Sequence, residues 1–154
     1  PYQAIDGFCA AGSYKPYRAI NWGFVTAKQE IPSVSEIKDA LCKYGPLSVA
    51  VNATSAFQAY SSGVFNESAN DDINHAVTIV GWDDDKNAWL IKNSWGSWWG
   101  DNGYMWIDYD SNNIGYAATW VQAQTKYYEI PEYLVEILKE RYEFVMPFYA
   151  IKED

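Results

Sequence analysis

Four strand-length runs between His75 and Val121 restrict the fold more than any other feature of this chain: His75–Trp82, Ala88–Asn93, Tyr104–Tyr109 and Tyr116–Val121. They are apolar, β-branched or aromatic, which suits a pleated surface packed on at least one side. The breaks between them are turn-forming: Asp83–Asp84–Asp85–Lys86–Asn87 first, then a glycine-rich loop from Gly96 to Gly103. Strands this closely spaced read as antiparallel β, and the expected product is a compact barrel or a strongly bent sheet. The first half adds helix to it. Ser33 and Glu36 have capping-box spacing, Ile37, Leu41 and Tyr44 fall on one face, and Gly45–Pro46 stops the helix. Leu47–Val51 is a strand candidate and Ser55–Tyr60 a short helical turn. Before them, Ala19–Val25 is one strand-like run in a loop-rich stretch. From Thr125 onward the character changes. Leu134, Ile137, Leu138, Tyr142 and Val145 sit at helical spacing behind Pro131, so an amphipathic helix is expected there. The class is α+β.

Composition narrows the function. The 154 residues are 49% hydrophobic and 20% charged, enough apolar material for a real core. The net charge of −9 repels phosphate backbones, so nucleic acid is not an expected partner. No apolar run approaches the roughly 20 residues of a membrane span, and no membrane partner is expected. Two cysteines are too few for a disulfide scaffold or, beside one histidine, for a structural zinc site. Cys42, in Asp39–Ala40–Leu41–Cys42, is expected to be a buried, inert thiol. Cys9, near Gly7 and Gly12, could be a reactive thiol or half of a disulfide. Two acidic loops imitate calcium sites and fail the test. Asp83, Asp85 and Asn87 are followed by Ala88 and Ser94 where Gly and Glu are required. Asp108, Asp110 and Asn112 meet Asn113 and Thr119 at those positions. Both read as solvated turns, and no metal or cofactor is expected.

The only histidine, His75, opens a strand in Asp71–Asp72–Ile73–Asn74–His75–Ala76–Val77. A lone histidine in such a place is more often structural than chemical. The phrase Trp89–Leu90–Ile91–Lys92–Asn93–Ser94–Trp95–Gly96, continued by Trp98–Trp99–Gly100–Asp101–Asn102–Gly103–Tyr104, changes that balance. Together with Pro1–Tyr2–Gln3–Ala4, Gly45–Pro46–Leu47–Ser48–Val49–Ala50 and Gly115–Tyr116–Ala117, these motifs resemble the C-terminal part of a papain-like cysteine peptidase. The resemblance covers roughly residues 1–124 and implies a fold: a right-hand antiparallel β-barrel domain with short helices. Residues 125–154 fall outside it, as a helical extension. That extension would be either a helix packed on the barrel or a docking element.

The chemistry explains why these residue types belong together. A cysteine nucleophile must be a thiolate, and a neighbouring imidazolium lowers its pKa. The imidazole then hands a proton to the leaving amine, so its ring must be held at one angle and tautomer. An amide oxygen does this without adding a full charge. The resemblance implies His75 as acid/base, Asn93 as its orienter and Trp95 as an aromatic lid over their hydrogen bond. It further implies that Ala50, Ala76 and Thr119 line a roomy apolar pocket for a peptide side chain, with Asn74 bordering the cleft through its backbone. The implied substrate is a peptide or protein.

The family's cysteine lies about 130–150 residues before its histidine, which would be roughly 55–75 residues ahead of Pro1. Neither Cys9 nor Cys42 stands in the family's nucleophile setting, and the oxyanion glutamine is not here either. The expectation is therefore a chain supplying histidine and asparagine to a peptidase whose cysteine comes from a missing N-terminal segment or a separate chain. Alone it is expected to be inactive; the alternative is a non-catalytic, peptide- or partner-binding remnant. Cys9 matches a position where family members often carry a half-cystine, implying a bridge to the missing segment. A secreted or lysosome-like compartment is expected. Asn52–Ala53–Thr54 and Asn66–Glu67–Ser68 fit glycosylation sequons, which would matter only in a eukaryotic secretory route.

Overall fold

The computed structural model describes residues 17–26, 30–69 and 72–125. Its elements lie in the compact unit Ala19–Gln124, with the first and last strands running one or two residues beyond it. The stretch around Cys9 and the helix expected behind Pro131 lie outside the described residues.

Among the described residues there are seven strands and two helices: β1 (Tyr17–Phe24), α1 (Val34–Tyr44), β2 (Leu47–Val51), α2 (Ser55–Gln58), β3 (Val64–Phe65), β4 (His75–Asp83), β5 (Ala88–Lys92), β6 (Tyr104–Asp108) and β7 (Tyr116–Thr125). The strands form one sheet in the order β1-β7-β2-β4-β5-β6-β3. Consecutive β4, β5 and β6 are antiparallel neighbours, the first pair joined by a short turn and the second by the longer glycine-rich loop. The two-residue β3 pairs parallel with β6, a strand too short to stand out in the sequence. Among the described pairings β1 and β3 stand at the two ends of the sheet. Register shifts between Ile79 and Gly81 in the β4–β5 pair, and between Ser48 and Ala50 in the β2–β7 pair, bend it.

Alternation sets the core. In β2, Leu47, Val49 and Val51 are buried while Ser48 is exposed, and their register partners in β4 are Ile79, Val77 and His75. Ile91, Met105 and Ile107 extend the same core through β5 and β6. Helix α1 lies against β2 and β4, burying Ile37, Ala40 and Leu41. Its start is the expected capping box: the Glu36 N–H donates to Ser33 Oγ at 3.3 Å, and the Ser33 N–H donates to the Glu36 carboxylate at 2.8 Å. Its end is Gly45, at φ +82°, whose N–H donates to the Leu41 carbonyl at 2.9 Å.

Cys42 corrects an expectation. It is exposed and free, not buried. At about 100° per residue it stands about 140° round the helix from Ile37, so the apolar run Ala40–Leu41–Cys42 ends by turning outward.

Candidate active site

His75 is the first residue of β4, and Asn93 is the first residue after β5. The antiparallel register, with Thr78 opposite Lys92, returns the chain so that Asn93 comes back beside the strand head. There His75 Nε2 and Asn93 Oδ1 are 2.9 Å apart. The proton's position follows from a neighbour. The Ser94 N–H donates to the same Oδ1 at 2.8 Å, and a backbone N–H can only donate, so this atom is the oxygen and not the amide nitrogen. Nε2 must then donate, which leaves Nδ1 as the ring nitrogen available for proton exchange. Asn93 is only 8% exposed, and its backbone N–H is tied to the Gly103 carbonyl at 2.9 Å. Its Nδ2 is buried without a partner among the described residues.

Aromatic rings wall the pair. Trp95 stacks on the imidazole with centroids 4.7 Å apart and planes 27° apart. Behind it, Phe57 of α2 meets His75 at 6.4 Å, Trp95 at 5.9 Å and Trp99 at 5.6 Å. Trp99 is pinned by its Nε1–H to the Gln58 carbonyl at 3.0 Å. Keeping water from the His75–Asn93 hydrogen bond strengthens it electrostatically. The loop holding Trp95 and Trp99 closes on itself through Gly103 N–H to Trp99 O at 2.8 Å and Asp101 N–H to Tyr104 O at 2.9 Å. Gly100 makes that closure possible: at φ +57° a Cβ there would sit 2.5 Å from the Tyr104 carbonyl oxygen. Trp98 projects outward, 80% exposed.

The remaining residues singled out in the sequence fall into two groups. Ala50 and Ala76 face each other across β2 and β4, and Thr119 pairs with Ser48. Alternation puts all three on the sheet face opposite the buried Val49 and Val77. His75 belongs by register to the core face, opposite the face that carries the small residues. The Asn74 side chain turns away to Asn52 and Ala53. Phe57 and the residues gripping Asn74 escaped sequence reasoning, because nothing local marks them as neighbours of His75.

The acidic turns sit elsewhere. Asp83 ends β4, at the other end of the strand from His75. Its Oδ1 caps the turn by accepting from Asp85 and Lys86. Lys38 pairs with Asp84, holding that carboxyl below its ordinary range, helped by the Tyr109 hydroxyl at 2.9 Å. Among the described residues no cluster of three or more His, Cys, Asp or Glu is placed to hold a metal ion.

Comparison with known proteins matches residues 1–124 to the papain family of cysteine proteases. Cathepsin L of Sarcophaga peregrina is 40% identical over 121 residues, covering 73% of this chain and 34% of that protein. The gamete and mating-type specific protein A of Dictyostelium discoideum is 39% identical over 121 residues, 77% of this chain and 26% of its own length. Among solved structures, bromelain from Ananas comosus, in complex with an inhibitor, superposes with a TM-score of 0.66 at 32% identity. That match covers 79% of this chain and 59% of bromelain's. Digestive procathepsin L2 from Tenebrio molitor larval midgut gives a TM-score of 0.64 at 30% identity, covering 79% and 40%. The chain therefore spans well under half the length of these curated relatives.

Proposed function

This chain belongs to the papain family of cysteine proteases, and we propose that within the peptidase it supplies His75 as acid/base and Asn93 as its orienter, while the nucleophilic thiol comes from a cysteine-bearing N-terminal segment or a separate chain. One observation carries the reading: the doubly accepting Asn93 Oδ1, which fixes the imidazole with Nε2 protonated and Nδ1 free to exchange a proton. The Trp95 stack supports it by shielding that bond.

In the proposed reaction Nδ1 takes the thiol proton, giving a thiolate–imidazolium pair. The sulfur attacks the peptide carbonyl carbon, the C–N bond breaks, and the imidazolium proton goes to the departing amine. Water then releases the acyl group with His75 acting as base. Ala50, Ala76 and Thr119 serve as the small-residue lining of an apolar substrate pocket, and their shared sheet face supports that role. Cys42, exposed on α1, is not the nucleophile in this scheme, and the chain by itself is inactive. The bulged sheet forms the bent, barrel-like half of the peptidase, with Cys9 bridging to the cysteine-bearing segment. The resemblance to cathepsins supports a secreted or lysosome-like location; among the described residues no helix is long and apolar enough to cross a membrane.

The test is complementation. The chain is co-expressed with the cysteine-bearing N-terminal part of the Sarcophaga cathepsin L and assayed on a peptidyl-coumarin amide under reducing conditions. Thiol-dependent hydrolysis that disappears in His75→Ala is the expected result. Assembly of the two chains without hydrolysis, or hydrolysis indifferent to His75, would refute the assignment.

A further inference from the structure

A buried polar cluster behind the head of β4 has no part in the chemistry above, and it grips the residue next to His75. Asn52, 5% exposed, uses every polar group it has. Its N–H donates to the Asn112 carbonyl at 2.8 Å, and its carbonyl accepts from Asn112 Nδ2 at 2.9 Å. Its side-chain Nδ2 donates to the Ala69 carbonyl at 3.0 Å, and its Oδ1 accepts from Asn74 Nδ2 at 3.1 Å. Asn74 is held three times more: its Oδ1 accepts from the Ala53 N–H at 2.7 Å, its Nδ2 also donates to the Ala53 carbonyl at 3.5 Å, and its N–H donates to the Val51 carbonyl at 3.3 Å.

The far side of the cluster is anchored by one carboxylate. Glu67 Oε2 accepts from Thr54 Oγ1 at 2.7 Å and from Asn112 Nδ2 at 2.8 Å, while the Glu67 N–H donates to Ser111 Oγ at 3.0 Å. Asn112 itself is fully buried at a left-handed φ of +50°, a conformation that its surroundings must hold in place. Ladder pairing with β2 reaches only as far as the Val51–His75 pair. Beyond that pair the chain entering β4 is held through Asn74, by its N–H to the Val51 carbonyl and by its side chain to Ala53 and Asn52, and of these the Asn52 amide is the one that ties it to Asn112 and Glu67.

We propose that Asn52 and Glu67 are positioning residues for His75: Glu67 clamps Asn112, Asn112 clamps Asn52, and Asn52 locks Asn74 so that the imidazole meets Asn93 Oδ1 squarely. The inference rests on His75 being the acid/base. It also accounts for the motif Asn52–Ala53–Thr54, whose amide and hydroxyl are both committed inside the fold and serve the clamp.

The one histidine makes this testable on the chain as it stands, without a thiol. In the protein labelled with ¹⁵N-histidine, the Nε2–H proton reports directly on the bond to Asn93 through its exchange with water. Glu67→Leu and Asn52→Ala should speed that exchange about fivefold to tenfold, the scale of one weakened hydrogen bond. Glu67→Gln, which keeps an oxygen acceptor, should restore the wild-type rate, and Ser68→Ala, exposed on the same loop, should leave it unchanged. Variants that stay folded by circular dichroism, melt earlier and still show the wild-type exchange rate would reduce the cluster to loop closure and overturn the proposal. Should Asn52→Ala fail to fold, the Glu67→Leu and Glu67→Gln pair decides. Because no thiol enters the readout, failure here is a separate result from failure of the complementation assay.

Discussion

Replacing Phe57 with alanine should be among the most damaging single changes in the unit, and the cost can be worked from its surroundings. The ring is fully buried, with centroids 5.6 Å from Trp99, 5.7 Å from Phe65, 5.9 Å from Trp95 and 6.4 Å from His75. Phe→Ala in a core costs about 3–5 kcal/mol, more where the walls cannot collapse. Here two walls resist collapse. Trp99 is pinned to the Gln58 carbonyl, and Trp95 is stacked on His75. Each aromatic pair adds about 0.5–1.5 kcal/mol beyond burial, so a loss of about 4 kcal/mol is expected, a large share of the 5–15 kcal/mol typical of a domain. With a urea m-value near 2 kcal/mol/M, the midpoint should fall by about 2 M. Phe57→Leu keeps most of the volume and should cost less than about 1.5 kcal/mol. Equilibrium urea unfolding, followed by tryptophan fluorescence and far-UV circular dichroism, measures both. An alanine variant shifted by less than about 0.5 M, or one indistinguishable from the leucine variant, would refute a rigid aromatic wall behind His75.

Four further outcomes follow from local geometry. Gly100→Ala should cost upwards of about 2 kcal/mol, since a left-handed φ alone costs an L-residue about 1–2 kcal/mol and the new methyl would press on the Tyr104 carbonyl, itself bonded to Asp101; thermal denaturation measures it, and a neutral change would mean that the loop is not closed as described. Ser33→Ala should lose about 1 kcal/mol at neutral pH. The companion Glu36 carboxyl is lowered by its side-chain and then its backbone hydrogen bond to Ser33, so its contribution is fully present above about pH 4.3, the ordinary glutamate value, and is lost as pH falls through the lowered folded value. A Glu36→Gln variant should therefore show a flatter acid limb in stability against pH. Finally, Cys42 should react with a thiol reagent in the native chain without denaturant, and Cys42→Ser should remove one equivalent; a native chain that loses no equivalent on that substitution would put the thiol back in the core.

Much of the unit was legible because the signals are short-ranged. A capping box spans four residues, and the Gly45 stop and the turn at Asp83–Asn87 are equally local, so α1, β2, β4, β5 and β6 begin and end close to where periodicity and turn chemistry put them, while β7 begins at Tyr116 as expected but runs on past Val121 to Thr125. The candidate site was legible for a different reason: His75 and the Lys92–Asn93–Ser94–Trp95–Gly96 phrase form a recognisable family pattern, and antiparallel register brings His75 and Asn93, 18 positions apart, within hydrogen-bonding distance.

What escaped the sequence is what depends on long-range placement. The apolar neighbours of Cys42 suggested burial, but helix phase against the sheet turned it outward. β3 is two residues long and exists only because β6 lies beside it. Asn52 and Asn112 are 60 positions apart, and Glu67 and Asn112 are 45 apart; separately each reads as an ordinary polar loop residue. Residue types and local spacing determined which segments would be strands, where the helix would start and stop, and which chemistry His75 and Asn93 could share. Only the tertiary structure decided which way each side chain faces and which polar groups find one another. A hydrogen bond needs its two partners within about 3 Å, and that distance is set by sheet register and packing, not by either residue's own neighbours.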